Sequence, residues 1–337
     1  MPPSTSGWNT CLSFFLGAGA VLFITSLPII YHSIGSQHRK KQQNQIFPLP
    51  VKLPYFAPDI PYSLPTPAEI QAAPLLVSHN GYKVVKVSDH FVVKFGRASQ
   101  VDLLEGLNML FVQQATKLKV PRVYALYNDP ESSTNYIIME FIKGDTLDTQ
   151  WAHLTHCEKS EIAMILRQYF DELRSFPSPG FFGSIGKSHL LHGIFWTSQP
   201  TPSINGPFNS EAALNEALAL KYLETADTRT TFKADFYRRS LSHVFRGHDP
   251  KFTHADFQRK NVIIRRLPGN ANTNTNQYEV TLIDWELAGW YPSYWEYSVA
   301  MCASRWDDDW DEWVAKILQP FNAEFPWLRM LYLELWS

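Results

Sequence analysis

The chain has 337 residues, of which 45% are hydrophobic and 18% charged, which excludes wholesale disorder and leaves enough apolar residues for a substantial core. Its 30 Lys and Arg residues nearly balance 32 Asp and Glu residues, and the net charge of −2 excludes a bulk electrostatic attraction to nucleic acid or to an anionic membrane. Its cysteines, Cys11, Cys157 and Cys302, form no C-x-x-C pair, which excludes a disulfide framework or a cysteine zinc site and favours a reducing compartment.

The chain begins with an uncharged, mostly apolar stretch between Trp8 and Tyr31. Residues 11–31, about 21 in number, would cover a hydrocarbon core of about 30 Å, so they predict a single-pass membrane helix. A cleaved signal peptide fits less well because no Lys or Arg precedes the run, and a buried helix is the third alternative. The basic cluster from His38 to Lys41 follows the run, which predicts that the rest of the chain faces the cytosol.

Residues 42–67 carry a proline every few positions. Proline removes backbone donors and favours an extended backbone, so this segment predicts a semi-rigid linker outside the core. A proline-rich recognition ligand is the weaker alternative. The chain is therefore expected to consist of an N-terminal anchor with its basic flank, residues 1–41, the linker, and a globular part from Ala68 onward.

The globular part opens with short β-rich runs separated by turn signals. These runs lie at 75–77, 82–87, 90–95, 122–127 and 136–141. Apolar residues with a period of about 3.6 predict a helix over 99–117, between the third and fourth runs. Residues 68–142 therefore predict a small lobe with an antiparallel sheet and one helix.

After Gly144 the sequence becomes mainly helical. Helices are predicted at 159–176, 210–225, 233–244 and in the aromatic tail 296–337. Two apolar strands at 261–266 and 279–284 flank a polar loop and predict a hairpin. Residues 143–337 therefore predict a larger, mainly helical lobe, and the whole globular part predicts an α+β fold of two lobes.

The residues that carry chemistry concentrate in the segments FTHADFQRKNVIIRR and VTLIDWELAGW. His254, Asp256 and Asn261 form an H-x-D-x4-N pattern before one apolar strand, and Asp284 ends the next. A loop carboxylate can take the proton of an attacking hydroxyl, which is the catalytic role predicted for Asp256, with His254 bracing the loop. Asn261 and Asp284 offer the oxygen ligands that Mg²⁺ prefers. The pattern predicts phosphoryl transfer.

These segments resemble the aminoglycoside phosphotransferase-like (APH/choline kinase) family, and within it the fungal branch. HADFQRKN resembles the family's H-G-D-x-x-x-x-N motif, and IDWELAGWYPSYWEY resembles the segment that replaces the DFG motif of protein kinases. VVKFG and DLLEGLNMLFV resemble the nucleotide-lysine strand and its partner helix, and YIIMEFIKGDTL resembles the hinge between the lobes. The resemblance runs from about Leu75 to the C-terminus and implies a bilobal protein-kinase-like fold with ATP and Mg²⁺ as cofactors.

The resemblance also implies roles for individual residues. Lys94 would hold the α- and β-phosphates of the nucleotide, and Glu105 would pair with Lys94. The alternatives are a solvated edge-strand lysine and an exposed helix carboxylate. Glu140 and Ile142 fall where hinge backbone groups would bond the adenine edge, so no side-chain role is implied for them. The base and metal roles predicted above agree with those the family implies at the same positions.

Two departures from the family pattern lower the expected rate of turnover. Ala255 replaces the usual glycine of the motif, and an alanine does not freely adopt a positive φ. The loop at 79–81 carries a single glycine and no G-x-G-x-x-G, which makes it a weak phosphate cradle. Glu286, two positions beyond Asp284, would either contact the metal or brace the loop.

The predicted acceptor is a small-molecule hydroxyl, because the short stretch from Asp284 to Pro292 leaves no room for the A-P-E segment that docks peptides in protein kinases. The acidic run 307–312 would either attract a cationic substrate or form a solvated face with its tryptophans turned inward, and the second is favoured. The aromatic residues at 290–295 would either wall the substrate pocket or pack in the core.

Two other functions compete with this prediction. A pseudokinase or nucleotide-binding scaffold at a membrane would bind ATP and transfer nothing, so turnover separates it from an enzyme. A membrane-anchored hydrolase lacks support, because neither G-x-S-x-G nor H-E-x-x-H occurs in the sequence. No nucleic-acid partner is expected.

Overall fold

The structure is a computed structural model, and it describes residues 51–79, 81–225, 231–268 and 278–336. These residues all belong to one unit, residues 42–337. The predicted membrane segment 11–31 lies outside the described residues, and so does the tip of the predicted hairpin. Among the described helices, none combines the length and apolar character that crossing a bilayer requires.

The smaller lobe is built on a six-stranded antiparallel sheet with the order β1-β5-β6-β4-β3-β2. Its strands are β1 (Tyr55–Phe56), β2 (Leu75–His79), β3 (Tyr82–Val87), β4 (Phe91–Arg97), β5 (Val123–Asp129) and β6 (Thr134–Glu140). Helix α1 (Pro67–Ala72) precedes β2, and helix α2 (Leu104–Ala115) lies between β4 and β5. Helix α2 begins later than predicted because Asp102 Oδ1 accepts the N–H of Leu104 at 2.9 Å, which satisfies a free donor of the first turn.

The proline-rich segment packs on this sheet where the structure describes it. Strand β1 pairs with β5, and the N–H of the buried Ala57 donates to the carbonyl of Tyr124 at 2.8 Å. A capping box between Thr66 and Glu69 then starts α1. The prediction that residues 42–67 lie outside the core is therefore wrong from Tyr55 onward. A two-residue edge strand needs few backbone donors, so neighbouring prolines do not prevent its pairing.

Helix α2 joins the two lobes through a shared hydrophobic core. Its buried residues Leu107 and Met109 belong to one cluster that contains Ile137 of the sheet and Phe252 of the larger lobe. Gly106 lets the helix approach the sheet closely, because a Cβ at this position would lie 2.1 Å from Leu126 Cδ2. This packing fixes the position of the first turn of α2 relative to β4.

The larger lobe is mainly helical, with two small antiparallel sheets, β7-β9-β10 and β8-β11. Its strands are β7 (Asp145–Thr146), β8 (Pro250–Thr253), β9 (Val262–Arg266), β10 (Tyr278–Leu282) and β11 (Gly289–Pro292). Its helices are α3 (Leu147–Gln150), α4 (His156–Arg174), α5 (Pro202–Asn205), α6 (Glu211–Thr225), α7 (Thr231–Val244), α8 (Trp295–Cys302), α9 (Trp310–Ile317) and α10 (Phe325–Leu335), and 3₁₀ turns lie at Trp151–His153, Gly193–Phe195 and Arg259–Asn261.

The aromatic residues at 290–295 pack in the core. Trp290, Tyr291, Tyr294 and Trp295 are all completely buried. Trp295 stacks on Tyr291 at 5.2 Å between ring centroids, and on Phe195 at 5.4 Å. Of the two alternatives left by the sequence, the structure selects core packing.

Two of the three tryptophans at the acidic run turn inward, whereas Trp306 is 53% exposed. Trp310 and Trp313 are buried, and Asp309 accepts hydrogen bonds at 2.9 Å from the indole N–H groups of Trp313 and Trp151. Burial raises the pKa of Asp309, but hydrogen bonds from Lys159 and the two indoles lower it by more. The pKa therefore falls below its ordinary value, to about 2. This carboxylate therefore fastens α9 to α4, and the favoured structural alternative holds for Trp310 and Trp313 but not for Trp306.

Candidate active site

Lys94 and Glu105 form a buried ion pair between the sheet and α2. Lys94 lies on β4, a strand flanked by β3 and β6, so the alternative of a solvated edge-strand lysine does not hold. Its Nζ is 2.7 Å from Glu105 Oε2, and the side chains are 5% and 3% exposed. The structure thus brings together the two residues that the sequence suggested as a pair.

Two further carboxylates approach the same ammonium group. Lys94 Nζ lies 2.7 Å from Glu286 Oε2 and 3.5 Å from Asp284 Oδ1. Burial lowers the pKa of Lys94, but the three carboxylates raise it by more, so the group stays charged. Burial raises the pKa of Glu105 by removing water from the carboxylate. Lys94 lowers this pKa, but the negative charges of Asp284 and Glu286 raise it again.

The three acids form a candidate cation site. Ligand oxygens of Glu105, Asp284 and Glu286 all lie within 4.8 Å of one another. Asn261 lies at the same end of the hairpin as Asp284, because its carbonyl accepts the N–H of Ile283 at 3.0 Å. Carboxylate and amide oxygens suit Mg²⁺. Three carboxylates carry more negative charge than the single ammonium of Lys94 can balance, which favours a cation here. The donor set therefore fits the metal that the sequence suggested.

Asp256 is held from both sides of its carboxylate. Asn261 Nδ2 donates to Oδ2 at 2.7 Å and to the backbone carbonyl of Asp256 at 2.9 Å, and Gln258 Nε2 donates to Oδ1. Lys260 Nζ lies 3.3 Å from Oδ2, and the Asp256 side chain is 20% exposed. The carboxylate is thus oriented and still accessible to an approaching hydroxyl.

His254 links the loop of Asp256 to the strand that ends at Asp284. Its Nε2 donates to the Ile283 carbonyl at 3.0 Å, and its Nδ1 accepts the N–H of Asp256 at 3.3 Å, which together require the neutral Nε2–H tautomer. Burial lowers the pKa of the imidazole, in agreement with a neutral ring. The ring also contacts Trp285 at 4.6 Å between centroids. This geometry suits a positioning residue.

Glu296, which was not predicted from the sequence, holds the proposed catalytic loop, residues 254–258. Its carboxylate, in the first turn of α8, accepts the backbone N–H groups of His254 at 2.6 Å and Ala255 at 3.2 Å. Burial raises the pKa of Glu296 to about 7, although these hydrogen bonds and Arg174 oppose the shift. The signal in the sequence was a lone acid in the apolar helix WEYSVAMC.

Asn108 was also missed, and it holds the loop after Asp284. Its Nδ2 donates to the carbonyls of Trp285 at 2.9 Å and Ala288 at 3.2 Å, and the residue is completely buried on α2. A polar side chain within the apolar face of that helix was the available signal. Together with Glu105, it couples α2 to the candidate cation site.

Two residues of the site have a left-handed backbone conformation. Ala255 has a φ of 66° and Asp284 a φ of 64°. Such values are uncommon for residues other than glycine, with Asp and Asn among the better tolerated. Ala255 therefore stands where a glycine would be unstrained, as its departure from the family motif suggested.

The hinge and the nucleotide loop are described in part. The N–H of Glu140 donates to the Arg122 carbonyl at 2.8 Å, so Glu140 still belongs to the sheet, and half-buried Ile142 follows it. Their contacts with adenine stay a prediction. In the loop, Asn80 lies outside the described residues, and a Cβ on Gly81 would meet Gln100 Nε2 at 2.1 Å.

Comparisons with known proteins identify the family and the fold of the chain. The sequence model described as "Phosphotransferase enzyme family" matches residues 69–331. The GDP and kanamycin complex of APH(2")-IIia is 15% identical, covers 79% of this chain and 82% of its own, and has a TM-score of 0.51. The aminoglycoside phosphotransferase APH(4)-Ia is 14% identical, covers 80% of this chain and 88% of its own, and has a TM-score of 0.50. No match was found among curated proteins.

These matches confirm the family resemblance and the kinase-like α+β fold with an antiparallel sheet in its smaller lobe. At these identities the two solved structures show the fold alone. Placement in the fungal branch stays a prediction, as does the membrane helix.

Proposed function

The chain belongs to the phosphotransferase enzyme family, and from this membership we propose that it transfers the γ-phosphoryl group of ATP to a hydroxyl of a small molecule. One observation carries the proposal. The oriented carboxylate of Asp256 lies on the same loop as Asn261, which adjoins Asp284 and its contact with Lys94. A base, oxygen ligands for a metal and a phosphate-binding cation thus belong to one site.

In the proposed reaction, the acceptor oxygen forms a bond to the γ-phosphorus. The bond from that phosphorus to the bridging oxygen breaks, and ADP leaves with its electron pair. The hydroxyl proton passes to Asp256, whose orientation is held by Gln258 and Asn261. The buried ammonium of Lys94 offers a positive charge for the nucleotide phosphates.

Mg²⁺ is the metal proposed for the site, with Asp284 and Asn261 as its ligands. When bound, it would neutralise charge on the phosphate oxygens. Glu286 is close enough to the other acids to join them, and its contact with Lys94 also suits a bracing role.

A pseudokinase or nucleotide-binding scaffold is the second candidate. The strained backbone of Ala255 beside the base favours it, since a displaced loop would disturb the attack geometry. The two candidates differ in turnover alone.

The test is ADP release with a panel of hydroxyl compounds in the presence of ATP and Mg²⁺. We expect acceptor-dependent release from the wild type and from a surface control, Asp249→Asn. Tight ATP binding without release from any acceptor would contradict the enzyme and support the scaffold.

We further propose that residues 11–31 form a single-pass membrane anchor, with the catalytic lobes in the cytosol. The proposal is supported by the uncharged run and by the basic cluster that follows it. Full-length protein should fractionate with membranes and resist carbonate extraction. Protease added to the cytosolic face of sealed vesicles should digest the catalytic lobes, and protection would contradict the orientation.

A further inference from the structure

A cavity of about 260 Å³ lies directly beside the proposed base. Its lining residues include Ala255, Asp256, His192, Val299, Tyr332 and Trp336. The catalytic loop, helix α8 and the C-terminal end of the chain therefore surround it. Its volume is slightly below the range of about 300–1,000 Å³ that is typical of ligand sites, so it suits a compact ligand.

The cavity is nearly free of charge. Asp256 is the one acidic side chain among its described lining residues, which include no Lys or Arg. Burial lowers the pKa of His192 to about 3, so this imidazole is neutral at physiological pH. A cationic acceptor would find no counter-charge here except the base itself, and pairing with the base would hinder proton transfer.

His192 orients the hydroxyl group of Tyr332. The Nδ1 of His192 accepts the N–H of Ile194 at 3.3 Å, so in the neutral ring the proton is on Nε2. That Nε2–H donates to the Tyr332 hydroxyl at 2.6 Å. The hydroxyl proton of Tyr332 must therefore point away from His192, and among the described residues no acceptor takes it.

We infer that the phosphoryl acceptor is a compact, uncharged compound with two oxygens, one attacking from beside Asp256 and the other accepting the hydroxyl proton of Tyr332. The inference rests on the proposed function, because it assigns this cavity to the acceptor. It follows from three features: the small volume, the lack of charge apart from the base, and the donor held by His192.

Calorimetric titration of the full-length protein tests the inference without requiring turnover. The probes are cyclohexane-1,2-diol, its cationic counterpart 2-aminocyclohexanol, and cyclohexanol, which lacks the second oxygen. We expect the diol to bind about tenfold more tightly than the amino alcohol. Tyr332→Phe should weaken the diol by about threefold to tenfold, the effect of one neutral hydrogen bond, and should leave cyclohexanol unchanged.

Tyr62→Phe is the matched control, since Tyr62 is an exposed tyrosine of the smaller lobe. Equal or tighter binding of the amino alcohol would overturn the uncharged class. An equal effect of Tyr332→Phe on the diol and on cyclohexanol, or no effect, would overturn the role of Tyr332. Failure of the diol to bind at millimolar concentration would overturn the inference as a whole.

ADP release, measured separately, distinguishes this inference from the proposed function. Turnover of cationic acceptors alone keeps the phosphotransferase and overturns the uncharged class. Tyr332-dependent binding of the diol, without ADP release from any hydroxyl compound, contradicts the phosphotransferase and overturns the assignment of the cavity to an acceptor.

Discussion

At the scale of single residues, the candidate site combines groups proposed to act on the nucleotide or the acceptor with groups that hold them. Asp256 is accessible and receives hydrogen bonds, whereas His254 is buried and neutral, with both ring nitrogens engaged. A neutral ring with both nitrogens occupied cannot readily exchange protons with a substrate. Asp256 is therefore proposed as the base, and His254 as a residue that positions the loop.

Replacing the proposed base should separate binding from transfer. We expect Asp256→Asn to leave ATP affinity near that of the wild type, while phosphoryl transfer falls by about 10²–10⁴-fold, the usual contribution of a general base. Single-turnover ADP release and nucleotide titration check the two quantities. Equal transfer rates in variant and wild type would remove Asp256 from the role.

Asp284→Asn should weaken the dependence of ATP binding on Mg²⁺. Asparagine keeps the side-chain shape and tolerates the φ of 64° at this position, so the change isolates the loss of charge. Without the anionic carboxylate ligand, Mg²⁺ should bind more weakly beside the triphosphate. The measurement is the ATP affinity of both proteins as a function of Mg²⁺ concentration. If the dependence on Mg²⁺ is the same in variant and wild type, Asp284 is a structural residue and not a metal ligand.

Ala255→Gly should remove backbone strain. Because the φ of Ala255 is 66°, glycine should leave the free energy of unfolding unchanged or raise it by up to about 1 kcal/mol. The control Ala163→Gly, within α4, should lower it by about 1 kcal/mol. Urea denaturation of both variants provides the comparison, and equal losses would show that position 255 carries no strain.

At the scale of elements, side chains from distant helices hold the catalytic loop and the segment after Asp284. Glu296 of α8 binds the backbone of the catalytic loop, and Asn108 of α2 binds the segment that follows Asp284. Both are buried and polar, so removing either would leave unsatisfied backbone groups in the core. The loop of Asp256 and the segment after Asp284 are thus tied to α8 and α2 respectively.

A histidine joins α6 to the start of α10. His248 Nδ1 is 2.6 Å from Glu211 Oε1, and its Nε2 is 3.3 Å from Glu324 Oε1, with Tyr294 and Phe321 packed against the ring. Burial lowers the pKa of His248, but the two carboxylates raise it by more, above its ordinary value of about 6.5.

This pair of contacts predicts a pH-dependent contribution to stability. The histidine binds its proton more tightly in the folded state, so its contribution is fully present below about pH 6.5 and is lost as pH rises through the raised pKa. The free energy of unfolding of the wild type should therefore exceed that of His248→Gln most at acidic pH. Denaturation of both proteins from pH 5.5 to 8.5 measures the difference, and a difference that grows with pH would reverse the assignment.

At the scale of the whole molecule, the segment before α1 is part of the smaller lobe. Beyond the β1–β5 pairing, Tyr62 stacks on His90 with 3.5 Å between ring centroids. A fragment that begins at residue 51 should therefore melt several degrees higher than one that begins at Ala68. Thermal unfolding of both fragments tests this, and equal melting temperatures would show that the segment adds no stability.

Much of the fold could be predicted from the sequence, because its signals are local. Alternating apolar residues and turn signals located the central strands, and helical periodicity located α2, α4, α6 and α7. The observed start of α2 differs from the predicted one, because the Asp102 side chain accepts the N–H of Leu104 in the first turn. The packing of the proline-rich segment was missed, because a two-residue strand leaves almost no local pattern.

The sequence by itself pointed to the proposed base and the proposed metal ligands, because each is adjacent to a strand whose hydrophobic pattern places it. Its resemblance to the family pointed to Lys94 as the proposed nucleotide lysine. Only the tertiary structure decided which residues support them. Glu296 binds the backbone of a residue 42 positions away, Asn108 one 177 positions away, and Tyr332 a histidine 140 positions away. Sequence motifs with a fixed residue spacing cannot predict contacts between residues so far apart in the chain. These partners meet because the burial of the aromatic core brings α2, α8 and α10 together around the loop, and that packing involves the chain as a whole.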